Sequence, residues 1–496
     1  MMLKKNKTKL EAILPKDLKP LKTEAEKALL EAAEKGEFAD RRKLDPKDPG
    51  HDKPENSDNW SPERNIRAKL LAWLCTDKGA SELVHYKGVQ VAGAKVTGVL
   101  DLEAATLLHP LTLDYCAVKE AIILRDAETR TLSLQGSHTG PVSADRMKTR
   151  GSVFLRYGFH ARGEVRLLGA DIEGDLDCIG GTFENENGYA LNADGMKTMG
   201  DVFLRDKFHA KGEVNLLGAE IGGDLSCIDG TFENEKGVTL NAENMTVKGV
   251  FFWRTKERPA GVVDLMHANV GQLSDNKESW PEEGKLALDG FEYGALAPDD
   301  TPKSAEERLR WIGLQLPEPF KPQPYEQLAK VLRGMGHEED ARDVLIAKND
   351  DMRKYGELSR ITKLWYWFLG GTIRYGWRTR RVILGFIFPM LILGWGMFWC
   401  ANDLKVMQPS KERVYMSTEF KEDGTVPPTY PVLSPLSYSI DTFVPFVNLH
   451  QENYWLPDAS RPWGWLFRIY LWAHILLGWL SSTLALVSLT GLIRKE

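Results

Sequence analysis

The chain reads as mainly β: a parallel β-solenoid with a helical cap, an α-hairpin linker and two C-terminal transmembrane helices. Three observations predict this. Residues 147–195 and 196–244 repeat each other over 49 positions without a gap, and 34 of those positions are identical. A fixed period of this size marks units that complete their core against a neighbour. Within and around the copies, short alternating pairs such as Val153/Leu155, Val165/Leu167 and Leu176/Cys178 recur about every eleven residues, punctuated by Gly, Asp and Asn. Finally, composition breaks near residue 382, and the runs 382–400 and 469–493 contain no Asp, Glu, Lys or Arg. Each run can cross a hydrocarbon core of about 30 Å at about 1.5 Å per residue.

Residues 1–60 are charged and partly helical, with Thr23 and Glu26 as a capping box, Gly36 closing the helix, and 41–60 as loop or linker. Residues 61–84 form a helical cap. Ser61-Pro62 opens a helix there, with Ile66, Leu70, Leu71 and Leu74 on the face that covers the first rung. The solenoid spans 85–298, from Val89/Val91 through the doubled stretch to Leu286/Leu288. The beat leaves open two, three or four strands per turn. Residues 299–357 make the α-hairpin linker, begun by Ser304 with Glu307 and split at Gly334 and Gly336. A basic, aromatic juxtamembrane helix follows over 358–381 and suits the inner leaflet. Transmembrane helix 1 covers 382–400 and transmembrane helix 2 covers 465–493. Trp463, Trp465, Phe467 and Trp472 mark an interfacial belt where the second begins. The intervening 401–464 is extracytoplasmic and mildly acidic.

The formal charge of −6 is spread thinly and predicts no nucleic-acid partner. Arg353, Lys354, Arg360, Lys363, Arg374, Arg378, Arg380 and Arg381 crowd the approach to the first span, and Arg494 and Lys495 follow the second. The positive-inside rule then puts both termini and the solenoid in the cytoplasm of a multi-pass protein of the bacterial inner membrane. The N-terminus MMLKKNKTKLEAIL is basic without an apolar core, so no signal peptide is expected. The five cysteines fit a reducing compartment. Cys178 and Cys227 share a repeat position and are predicted to stack one above the other.

Candidate chemistry is sparse. His160 and His209 are repeat equivalents, either turn histidines or stacked ligands for an anion or metal. Asp171, Asp175 and Asp177 suggest calcium, but the second copy has Glu220, Asp224 and Ser226, and a solvated face is the favoured reading. Arg166/Asn215 and Asp177/Ser226, which differ between copies, are predicted to face outward. Phosphate-loop, dinucleotide, nucleophile-elbow and zinc-protease motifs do not occur, so no catalytic, cofactor-binding or metal residues are assigned and no cofactor is expected. The membrane part says more. His474, Gly478, Ser481, Ala485, Ser488 and Leu492 fall on one stripe of the second span, where small residues admit another helix. His474 stands out because an imidazole at membrane depth needs protein or water beside it. In the first span Gly385, Ile392 and Gly396 share a face, and Pro389 can kink the helix. The stretch 434–457, SPLSYSIDTFVPFVNLHQENYWLP, contains Asn448. It is either an extracytoplasmic interfacial segment or a re-entrant pore element, and without a T-V-G-Y-G filter it carries no potassium signature.

WSPERNIRA, GEVRLLGADIEGDLDC, PYEQLAKVLRGMGHEEDARDVLIAK and the two C-terminal helices together resemble a bacterial two-transmembrane-helix family with a pentapeptide- or bactofilin-like β-solenoid. That family is sometimes labelled membrane-associated oxidoreductase. The resemblance covers most of 60–496 and brings no catalytic residues with it. The reading that follows is a membrane-anchored scaffold or recognition protein, a homo-oligomer with a cytoplasmic protein partner, whose helices form a pore gated by the solenoid. The alternative implied by the resemblance is an oxidoreductase.

Overall fold

In the computed structural model, residues 7–42, 53–372, 374–377, 380 and 383–490 are described, the side chain of Ser488 excepted. Arg378, Arg381, Leu492, Arg494, Lys495 and part of the 41–60 linker lie outside the described residues. The chain divides into two compact units, Met1–Val344 and Leu345–Glu496.

The first unit is a parallel β-solenoid of about nine turns. Four short strands make one turn. Leu132–Ser133, His138–Thr139, Val142–Ser143 and Lys148–Thr149 form one such square, and each pairs in parallel with its counterpart in the next turn. Along the first face the register runs Val153, Leu176, Val202, Leu225, Phe251, so turns of 23 and 26 residues alternate. The 49-residue repeat is therefore two turns, a short one and a long one. The long turns bulge over 185–188 and 234–237, between the second and third faces.

This alternation corrects two expectations. Leu204 follows Cys178 in the inward column, and Cys227 comes only one turn later, so the two thiols do not stack. Likewise Thr182 separates His160 from His209 on the second face, and both histidines sit in strands rather than turns. The inward column beside them is aromatic. Phe159, Phe183, Phe208, Phe232 and Trp253 stack with centroids 5.2–5.4 Å apart, each pair contributing about 0.5–1.5 kcal/mol beyond its buried area.

Both ends of the solenoid are covered. Residues Asn65–Arg67 are a strand paired with Lys95–Thr97, not part of the helix that Ser61-Pro62 was expected to open. Edge pairing overrides the local helical pattern there, and helix α1 begins only at Ala68 (Ala68–Thr76). Ala39–Asp40, from the N-terminal region, adds a further strand against Val91 and Ala92. The Arg64 guanidinium stacks 3.7 Å from the Trp60 ring and donates to the Gly93 carbonyl at 2.6 and 2.8 Å. At the far end, α2 (Ala305–Ile312) and α3 (Gln323–Gly334) close the last rung. Gln315, Gln323 and Gln327 satisfy its open edge: Gln315 Oε1 accepts from Leu288 N, and Gln323 and Gln327 donate to the Phe291 and Tyr293 carbonyls. Arg308 is fully buried in a forked pair with Asp275, at 2.6 and 2.9 Å.

The second unit begins within α4 (Glu338–Tyr355) and contains α5 (Arg360–Thr372), a π-helical turn Ile383–Ile387, α6 (Phe388–Asp403), α7 (Pro435–Phe443) and α8 (Gly464–Leu489). Ile383–Asp403 and Gly464–Val487 are long and apolar enough to cross a membrane. Pro389 lacks the N–H that an α-turn would use, which accounts for the wider π turn just before it. The short antiparallel pair Met407–Pro409 with Trp455–Pro457 ties the connecting segment together. Phe467, expected in the aromatic belt, is buried beside Phe398, Tyr438 and Trp455, whereas Trp463, Trp465 and Trp472 are exposed.

Candidate functional site

The feature with functional geometry is α7, a nine-residue helix docked between α6 and α8. Its limits follow from the sequence. Ser434 caps the N-terminus by accepting from Ser437 N at 3.3 Å, and Pro435 occupies the first turn, where a missing N–H costs nothing. Pro445 ends it, since the residue before proline is pushed out of helical conformation, and Val444 is extended at φ −100°, ψ 102°.

Two glycines let α7 approach. A Cβ on Gly394 of α6 would lie 2.3 Å from Ser439 Oγ and 2.6 Å from His474 Cε1. A Cβ on Gly478 of α8 would lie 2.0 Å from the Phe443 carbonyl oxygen. Neither space admits even a methyl group, so Gly394 and Gly478 are what bring the three helices together. Gly385 and Gly396, expected to share a face of the first span with Ile392, have open space beside them, and Ile392 is exposed. The contact face of α6 is the one carrying Gly394.

His474 is 1% exposed at the centre of this junction. Its Nε2 lies 3.3 Å from both Ser439 Oγ and the Ser439 carbonyl oxygen, and its Nδ1 lies 3.3 Å from the Tyr470 hydroxyl. A carbonyl can only accept, so these partners fit a ring that carries its hydrogen on Nε2 and accepts from Tyr470 on Nδ1. Ser439 Oγ donates onward to the Leu391 carbonyl at 3.1 Å. Phe398 and Phe443 pack on the imidazole at 5.6 and 4.8 Å. Ser481 and Ala485 continue the same buried stripe.

After α7 the chain turns back. Phe443 meets Gly478, fourteen residues past Gly464 and so about 21 Å along α8. By Gln451 the chain is level with the start of α7 again, where Gln451 Oε1 accepts from Ser434 N. Buried Asp441 holds the returning strand by accepting from Leu449 N at 2.5 Å and Glu452 N at 2.9 Å. Between these anchors residues 446–450 are exposed, and Asn448 Oδ1 accepts from His450 N in a local turn. The Glu452 carboxyl is pushed up by burial and by its neighbour Asp441.

The solenoid residues singled out from sequence sit within the rungs. His160 and His209 place Nε2 2.9 and 3.2 Å from carboxylate oxygens of Glu184 and Glu233. The ring that meets His160 is that of His138, edge-on at 5.0 Å, rather than that of His209. Asp177 is 5% exposed and paired with Arg156 at 2.7 Å, not solvated. Asn215 and Ser226 are buried too, because flanking rungs cover outward positions in a parallel stack. The carboxylate of Asp175 is committed to the backbone, accepting from Asp201 N. Among the described residues no three His, Cys, Asp or Glu side chains converge as metal ligands. Burial pushes the thiols of Cys75 and Cys116 up to about 12.

These features define a class: a four-sided β-solenoid protein with two helices long and apolar enough to cross a membrane and a half-length helix docked between them. No family model, curated protein or solved structure matches the chain, so that class rests on geometry alone.

Proposed function

We propose that this protein is a subunit of an oligomeric pore in the bacterial inner membrane, with its termini and solenoid in the cytoplasm. The observation that carries the reading is the turn of the chain at 443–447. If α6 and α8 span the bilayer, this non-helical backbone lies near its midplane, about 21 Å from the start of α8. Irregular backbone does not face lipid at that depth; it is covered by protein or lines water. One copy leaves 446–450 open, so further copies must complete the site. Helix α5 supports the orientation: Ile361, Leu364, Trp365 and Trp367 are exposed beside Arg360 and Lys363, as at a membrane surface.

The solenoid is the recognition arm. Its long turns project two ledges that flank a groove of about 460 Å³, lined by Glu186, Lys211, Glu233, Lys236 and Arg258. A cytoplasmic protein partner engaging such ledges would bias the pore. Purified protein reconstituted in liposomes tests the reading. Solute flux from a discrete oligomer is expected, and a folded oligomer that conducts nothing under any trigger would sink it.

A further inference from the structure

We propose that the carbonyl oxygens of residues 445–450, contributed by several copies, form a cation-coordinating stretch of the pore; this rests on the pore reading above. Among the described residues, no hydrogen bond is received by the carbonyls of Pro445, Phe446, Val447, Asn448, Leu449 or His450. In one copy residues 446–450 are exposed and these carbonyls have no protein partner, whereas membrane-embedded backbone acceptors normally find a donor. At the depth of the turn, Pro445–Val447, only water, a cation or donors from another copy can satisfy them.

The stretch's own charges favour a cation among these. Helix α7 points its C-terminal end, the negative pole of its dipole, at the deep turn. The whole stretch 434–457 contains Asp441 and Glu452 but no Lys or Arg. Asp441 also fixes the geometry. Its two carboxylate oxygens grip Leu449 N and Glu452 N, so the amide hydrogens are turned toward α7 and the carbonyls are left unengaged. Rings of backbone carbonyls replacing an ion's hydration shell are a general means of conducting cations. Here Asp441 is a positioning residue; the ligands would be main-chain oxygens.

The test uses the full chain in liposomes under a potassium chloride gradient. Potassium is expected to permeate at least about tenfold better than chloride if carbonyl dipoles line the path. Asp441→Ala, in preparations that retain the oligomer, should lower that ratio several-fold while flux persists. Flux that ignores charge or favours chloride would overturn this proposal and leave the pore reading intact. Discrimination unchanged in D441A would also overturn it. A folded oligomer without flux would overturn the pore reading and this proposal together. If D441A does not assemble, the wild-type permeability ratio alone decides.

Discussion

Asp175, Asp201 and Asp224 each accept a backbone N–H one turn further along, from Asp201, Asp224 and Val250 in succession. The glycine before each member of the series keeps the corner open: a Cβ on Gly200 would sit 2.0 Å from Asp175 Oδ1. The Gly-Asp pair of the repeat is thus a corner-stapling device, where the sequence favours a solvated face for these carboxylates. Gly200→Ala should cost about 1–3 kcal/mol through overpacking, read as a lowered melting temperature of the detergent-solubilised chain. His138 gives a pH signature. Burial, reinforced by neighbouring His160, lowers its pKa from 6.5 to about 4. Below pH 6.5 the unfolded chain takes up a proton that the folded chain refuses, so this residue's contribution falls as pH drops from 6.5 towards 4. His138→Asn should flatten that part of the stability–pH curve, measured by urea unfolding at several pH values.

At the scale of elements, the docking of α7 depends on two contacts too tight for any side chain. Gly478→Val would place carbon against the Phe443 carbonyl and force α7 away from α8. The expected result is loss of flux with the solenoid's circular dichroism unchanged. The end caps obey a different rule. Removing one partner of the buried Arg308–Asp275 pair leaves a charge uncompensated, and Arg308→Ala should cost about 3–5 kcal/mol in thermal unfolding. Much of this level was legible in the sequence. The beat of short apolar pairs marked the rungs, and Ser434-Pro435 and Pro445 carry ordinary start and stop signals for α7. What the sequence could not carry was depth and partner. Gly394 looks no different from Gly385 or Gly396 until α7 is packed against it. The turn length stayed hidden because a 49-residue repeat is compatible with one, two or more turns.

For the whole molecule, closed solenoid ends matter more than the repeat that first draws attention. Arg64 with Trp60 at one end, and the glutamines of α3 and its approach at the other, cover the strand edges through which a parallel stack would grow. Purified protein should therefore give discrete oligomers rather than filaments, a distinction that light scattering after size exclusion resolves. In the proposed pore, copies instead meet around the open turn after α7. The most direct test asks what that turn faces. A cysteine placed at Val447, in a Cys400→Ser background, is exposed to reagent while the other thiols are buried. A charged, membrane-impermeant thiol reagent should label Val447→Cys in reconstituted vesicles and block flux. Labelling only by a lipid-soluble reagent, with flux untouched, would place the turn in lipid and contradict the pore.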